Sequence, residues 1–230
     1  MTHLIAEPHA QYEFSQIHPH EAVAAHSFLE RAATEHIFPR TQEDMRRYAD
    51  AGELFGVKTT HDGEFIALCY VTLDDDTDRW ELGGLLVDNA HLHAGIGRFI
   101  ARMSLAITVA YNDPFKYGQR VIAHVHELND RPRRLLTQVG FVLTPEKEEL
   151  PPEIAPASMA RNAEGRVIGD VFEFIRDELP KLSRWISQEF DGTFGPGRPS
   201  VELNLVRGPK LSHIRTTLSE IAERVANESR

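Results

Sequence analysis

The 230 residues contain one cysteine, Cys69, so an internal disulfide framework is excluded. It lies within "EFIALCYVTL", which reads as a buried strand, and an inert core thiol is expected there. No apolar run approaches the roughly 20 residues of a membrane span. The opening "MTHLIAEPHAQYEF" lacks the basic-then-apolar layout of a signal peptide, so the expectation is a cytoplasmic protein with no membrane partner. Net positive charge is lacking too: the formal balance is −10. That speaks against a nucleic-acid partner, because neutralising phosphates takes clustered cations. Internal repeats and low-complexity tracts are absent. What remains is 41% hydrophobic and 26% charged, the composition of a folded globular chain long enough to bury a sizeable core.

Patterning along the chain alternates between strand and helix. "QYEFSQI" alternates as a first strand, and "HEAVAAHSFLERAA" follows Pro19 as a helix. "TQEDMRRYADAG" starts a second helix at Thr41, with acidic residues in its first turn and a stop at Gly52. "LFGVKTT" and "EFIALCYVTL" flank the hairpin turn "HDG", and "RWELGGLLV" is a further strand. A helix from about Ile96 to Tyr111 repeats apolar residues at Ile96, Phe99, Ile100, Met103 and Ile107. "RVIAHVHEL" is a strand. "NDRPRRLLTQVGF" then offers a cap at Asn129 or Asp130, Pro132 in the first turn and Gly140 as the stop before a strand at Phe141. An antiparallel hairpin region feeding a parallel crossover is an α/β chain.

Beyond about Leu143, "TPEKEELPPEIAPASMARNAEG" reads as a surface connection. "DVFEFIRDELPKLSRWISQEF" reads as helical with an interruption at Pro180. "VELNLVR" alternates as a last strand, and a C-terminal helix spans 211–229. The organisation expected is a single domain, 1–230, in which 144–200 is a helical insertion before the last strand; a small second domain is the competing view. The span holding Phe172, Phe174, Ile175, Leu179, Trp185, Ile186 and Phe190 is richly apolar. Core packing against the sheet is the simpler account, and a homodimer contact is the alternative.

The loop "HAGIGR" joins an apolar strand to a helix. Glycines let backbone approach a phosphate, and a helix N-terminus offers unpaired N–H groups at its positive end. The dinucleotide fingerprint fails, because its third glycine position is Ile100 and no acidic residue ends a second strand at the required distance. The P-loop fails as well, since no Gly-Lys-Ser/Thr follows.

"WELGGLLVDNAHLHAGIGRFI" followed by "VIAHVHELNDRPRRLLTQVGFV" resembles the GNAT acyltransferase superfamily. Val87-Asp88, Gly95-Ile96-Gly97-Arg98, Asn129 and Gly140-Phe141 match its motifs in type, order and spacing. The resemblance covers roughly residues 11–143 plus 201–207. It implies the GNAT acyl-CoA N-acyltransferase fold, a mixed central sheet with a splayed strand pair and flanking helices. It implies acetyl-CoA as co-substrate, its pyrophosphate on the backbone of His93, Ala94, Gly95, Ile96, Gly97 and Arg98. It also implies a pantetheine arm along Leu85, Leu86 and Val87, with Asn129 near that arm and Arg131, Arg133 or Arg134 available to the adenosine phosphates. Two positions depart from the pattern: Leu92 stands where the family has Gln or Arg in the loop, and Leu136 where it has its acidic Tyr.

Acyl transfer to an amine needs a base, because an amine with a pKa near ~10 is mostly protonated at neutral pH. The family's strand Glu corresponds to Glu81; a strand-edge Glu facing solvent is the alternative account of it. His124 and His126 share one strand face by period two and offer base or acid; Tyr111 and Tyr117 are further candidates for the acid. His-x-His also occurs at 18/20 and 91/93, but no third or fourth ligand is evident and no metal is expected. The activity implied is direct transfer of an acetyl or other acyl group from acyl-CoA to a primary amine, on a small molecule, a Lys side chain or an N-terminus. The acidic balance and "LDDDTDRW" lean toward a cationic acceptor. An acyl-CoA-binding sensor or scaffold that has lost catalysis is the alternative, motivated by Leu92 and Leu136.

Overall fold

A computed structural model describes residues 11–153, 155–205 and 210–228. Among these residues eight strands form one sheet: β1 (Tyr12–Gln16), β2 (Leu54–Thr59), β3 (Phe65–Asp74), β4 (Arg79–Val87), β5 (Arg120–His126), β6 (Phe141–Leu150), β7 (Val167–Phe174) and β8 (Val201–Asn204). Their order across the sheet is β6-β7-β5-β4-β3-β2-β1-β8. Only β4–β5 and β1–β8 pair in parallel. The expected mixed sheet with flanking helices is therefore present.

Helices α1 (Ala22–Ala32) and α2 (Gln42–Ala51) cover one face. Their core holds Ile17, Phe28, Met45, Tyr48, Leu68 and Tyr70. The Thr41 hydroxyl accepts from Asp44 N–H to start α2, and Gly52 ends it in the left-handed region (φ 75°), as the sequence predicts. On the other face, α3 (Ile96–Asn112) and α4 (Asp130–Val139) pack on the sheet, and α5 (Leu179–Arg184) and α6 (Leu211–Glu228) pack beside them. Burial on α3 spreads past the expected stripe to Ala101, Leu105, Ala106 and Val109. Ile214, Leu218 and Val225 of α6 belong to the same core, and a helix enclosed on several sides is apolar nearly all round.

The segment 144–200 is not a helical insertion. β6 continues to Leu150, and β7 lies between β5 and β6, pairing antiparallel with both. "DVFEF" reads as helix because a strand buried on both faces carries a near-continuous apolar run, which periodicity cannot separate from a buried helix. Pro180 opens α5 at its first turn rather than interrupting a helix. "VELN" is the last strand in the chain, but it sits at the opposite edge of the sheet, parallel to β1; Val206 and Arg207 of the expected strand lie outside the described residues. Phe172, Phe174, Leu179 and Ile186 are buried, and Trp185 and Phe190 pack on the same core, so core packing accounts for that apolar span.

Two irregularities shape the centre. β4 and β5 pair only over Arg79–Glu81 and Arg120–Ile122, and beyond Glu81 they part. β4 also carries a bulge against β3, because Tyr70 pairs with Gly83 while Leu68 pairs with Leu86. A Cβ at Gly83 would lie 2.3 Å from the Tyr70 ring, and Gly84 takes a positive φ of 58°. The Gly-Gly pair thus lets the Tyr70 ring lie flat against β4.

Candidate active site

The gap between β4 and β5 opens into a cavity of about 410 Å³. Alternation assigns its walls. Val121, Ala123 and Val125 of β5 join the α3-side core, which turns His124 and His126 into the cavity. From β4, Glu81 lines the cavity, as does Glu148 from β6. The register Leu143↔Phe172 then Lys147↔Asp170 contains a bulge around Pro145, which lacks an N–H for the ladder. Past this bulge, Glu148 and Leu150 both line the cavity.

Glu81 and His124 meet at the point where the strands part. Glu81 Oε1 lies 3.6 Å from His124 Nδ1 and accepts from the Tyr70 hydroxyl at 3.4 Å. Arg40 Nη2 is 3.8 Å from the same oxygen, and its Nε donates to the Tyr70 hydroxyl at 3.0 Å. On its other side, His124 Nε2 lies 3.0 Å from Glu148 Oε2; the contact is ionic, without hydrogen-bond alignment. Arg79 completes the chain with a 3.1 Å bond to Glu148. Burial alone raises a carboxyl, but His124, Arg40 and Tyr70 outweigh it and hold Glu81 below the usual carboxylate range. Burial likewise depresses an imidazole, but Glu81 and Glu148 outweigh it and raise His124 above the ordinary range. Burial and the adjacent Glu81 push the Tyr70 phenol far up, so it acts as a neutral hydrogen-bond relay.

His126 behaves differently. Its Nδ1 accepts from Leu128 N–H at 3.1 Å and its Nε2 bonds to Ala160 O at 2.8 Å. Both ring nitrogens are used, which ties the β6–β7 connection to β5. Of the two histidines, His124 is the one that contacts the cavity carboxylates Glu81 and Glu148. Leu136 is buried and lines the cavity, so no hydroxyl stands there. Tyr111 and Tyr117 are exposed, lie at or beyond the far end of α3 and do not line this cavity. Cys69 is fully buried against Ser104, and burial pushes its thiol up to about 12, so it is inert.

The loop before α3 has a shape suited to anions. His93 (φ 70°) and Gly95 (φ 90°) are both left-handed, and no side chain caps the N-terminus of α3. The first-turn N–H groups of Ile96, Gly97 and Arg98 therefore lack helix partners. Ile96 turns its side chain into the core, and Arg98 is half-buried. The glycines serve packing as well: a Cβ at Gly95 would lie 2.8 Å from Phe194 O, and one at Gly97 2.8 Å from Leu135 Cδ1. Leu85 lines the cavity, Leu86 points into the α1–α2 core and Val87 packs toward α3. Beyond Glu81, β5 offers this strand no backbone partners. Asn129 caps α4 without a side-chain bond and lines the cavity. Arg133 is committed elsewhere, to buried Asp170 and the Glu127 carbonyl, which draws it away from a phosphate; Arg131 and Arg134 are exposed. Among the described residues no helix is long and apolar enough to cross a membrane.

Arg40, Tyr70 and Glu148 complete the cluster but are not evident from motif matching. The Gly83-Gly84 pair is the one sequence signal that points to the Tyr70 ring, and Glu148 falls in a segment that reads as a surface connection. No local signal marked Arg40, which arrives on the loop between α1 and α2.

Among solved structures, the ribosomal-protein-S18-alanine N-acetyltransferase from Escherichia coli is similar at 18% identity, covering 71% of this chain and 92% of that one with a TM-score of 0.50. A GNAT-family acetyltransferase from Streptococcus pneumoniae is similar at 15% identity over 70% and 98%, with a TM-score of 0.51. Diaminobutyrate acetyltransferase from Paenibacillus lautus, in complex with L-2,4-diaminobutyric acid and coenzyme A, is similar at 10% identity over 72% and 97%, with a TM-score of 0.51. At these identities the likeness shows the fold. No curated protein matches the chain. The sequence model of the acetyltransferase (GNAT) family matches residues 22–141, more than half of the chain. The chain belongs to the acetyltransferase (GNAT) family.

Proposed function

We propose that the protein transfers an acetyl or other acyl group from acyl-CoA to a primary amine by direct attack in a ternary complex. The observation that carries this reading is the Glu81–His124 contact at the mouth of the β4–β5 gap. The pyrophosphate would bind the loop amides of His93 to Arg98, at the positive end of α3. The pantetheine arm, rich in amides, would lie along Leu85–Val87 as an added strand lies along an open edge. Asn129 would border that arm.

In the reaction the amine nitrogen attacks the thioester carbonyl carbon, the C–S bond breaks, and CoA leaves as thiolate. His124 accepts the ammonium proton, directly or through one water. Its raised pKa brings it nearer the operating pH than Glu81, and proton transfer is most effective there. Glu81 stays ionised and stabilises the imidazolium that forms, while Tyr70 and Arg40 hold Glu81 in place. The same imidazolium can return its proton to the departing thiolate, which removes the need for a hydroxyl at Leu136. The second proton on nitrogen, lost as the C–S bond breaks, passes to the regenerated neutral His124 and on to solvent, so the products are an amide, CoA and a proton.

The test is release of free CoA thiol from acetyl-CoA with a panel of amines, alongside calorimetric binding of acetyl-CoA. Turnover that falls about 10²- to 10⁴-fold in His124→Gln supports the reading. Tight acetyl-CoA binding with no turnover on any amine makes the protein a sensor instead, and failure to bind any CoA ester removes both readings.

A further inference from the structure

Arg40 is held more rigidly than a surface cation. Its carbonyl is bonded by His26 Nε2 at 3.0 Å, its guanidinium carbon lies 5.0 and 5.2 Å from the Phe38 and Tyr70 ring centroids, and its Nε and Nη2 both donate to the Tyr70 hydroxyl. Yet its charge is poorly matched within the chain. Among the described residues its one ion-pair partner is Glu81, at 3.8 Å. Arg79, in the same cavity wall, has Glu148 at 3.1 Å. A planar guanidinium fixed by two rings and facing a cavity is suited to a carboxylate from outside the chain.

The remaining lining narrows the choice. The cavity carboxylates Asp74, Glu81 and Glu148 stand against Arg40 and Arg79, and with His124 neutral as the base the wall keeps a single surplus negative charge, too little for a polycation. This disfavours the multiply charged acceptor that the acidic composition suggested. The far wall is apolar: Ile37, Phe38, Leu150, Met159 and Val167 line it. Phe38 and Leu150 pack on the small cluster of Ala155, Met159 and Val167. Ala160 N–H donates to Glu35 O at 2.9 Å, so the β6–β7 connection closes onto the loop carrying Arg40.

We infer that the acceptor is a free α-amino acid with an apolar side chain. Arg40 holds its carboxylate, its amine is delivered to Glu81 and His124, and its side chain seats against Phe38, Leu150 and Met159. The cation and the anion that receive it are neighbours, as its carboxylate and ammonium are. A peptide N-terminus or a Lys side chain presents an amine without that adjacent carboxylate. The inference rests on the acyltransferase reading.

The experiment measures kcat/KM with acetyl-CoA for L-leucine, L-methionine and L-phenylalanine, for leucinamide and isoamylamine, and for spermidine. The expected result is a preference of about 10- to 100-fold for an amino acid over its carboxylate-free match, the range for losing a hydrogen bond to a charged group. In Arg40→Gln that ratio falls toward one, whatever the absolute rates; the wild-type ratio needs no variant and stands if Arg40→Gln fails to fold. Equal or better turnover of leucinamide, isoamylamine or spermidine overturns the amino-acid inference and leaves the acyltransferase reading intact. An unchanged ratio in Arg40→Gln removes Arg40 as the carboxylate anchor. Bound acetyl-CoA with no turnover of any acceptor overturns the acyltransferase reading, and the inference falls with it.

Discussion

His124 receives opposing instructions from its surroundings: burial favours the neutral ring, while Glu81 and Glu148 favour the charged one and prevail. Glu148→Gln removes one of those anions, so the His124 pKa must fall. Following its ring proton by NMR titration checks this, and an unchanged midpoint would contradict the assignment. The pair also couples stability to pH. Glu81 is lowered from 4.5 and His124 raised from 6.5. The carboxylate's contribution is complete above 4.5 and is lost as pH falls through its folded value. That of the imidazole is complete below 6.5 and is lost as pH rises through its own folded value. Denaturant titrations of wild type and Glu81→Gln should therefore differ more near pH 5.5 than near pH 9. A larger gap at the alkaline end reverses the sign and rejects the pairing.

Elements place these residues, and their irregular positions matter most. Gly83→Ala forces a Cβ to 2.3 Å from the Tyr70 ring, and the expected cost is about 1–3 kcal/mol for overpacking, read from urea melts. The displaced hydroxyl also loosens Glu81, so kcat should fall with it. Gly95→Ala meets both a left-handed φ of 90° and the Phe194 carbonyl, and its effect should appear first in the KM for acyl-CoA. Legibility followed the same division. Regular helices with caps, such as α2 and α4, were readable because Thr41, Gly52, Asn129 and Gly140 act locally. β7 was not, because burial on both faces erases the alternation that identifies a strand. The place of β8 was not readable either, since alternation marks a strand without saying which edge receives it. Of the residues proposed for the site, Glu81 was named from the family resemblance and His124, with His126, from strand alternation. Arg40 was not, because a loop brings it in from outside the strands that carry the motif.

Across the whole molecule, the C-terminal segment is part of the core. Ile214 and Leu218 are fully buried beside α3, the helix opened by the loop proposed to hold the pyrophosphate. Leu218→Ala should cost about 2–5 kcal/mol through the cavity it leaves, seen as a shifted denaturation midpoint with an unchanged denaturant slope. The KM for acyl-CoA should hardly move at temperatures where the variant stays folded. Phe194 ties this segment to the site side directly, with its ring 5.1 Å from Phe99 and 5.2 Å from Tyr12.

The outer edge of β1 is completed by β8, whose Asn204 reaches back to Glu13 across a separation of 191 residues. During synthesis at ~5–20 residues per second, that edge waits on the order of ten to forty seconds for its partner. Throughout that interval the nascent chain presents an open strand beside a half-built core, a template for wrong pairing. The yield of active protein should therefore depend on what shields the first strand until the last one emerges.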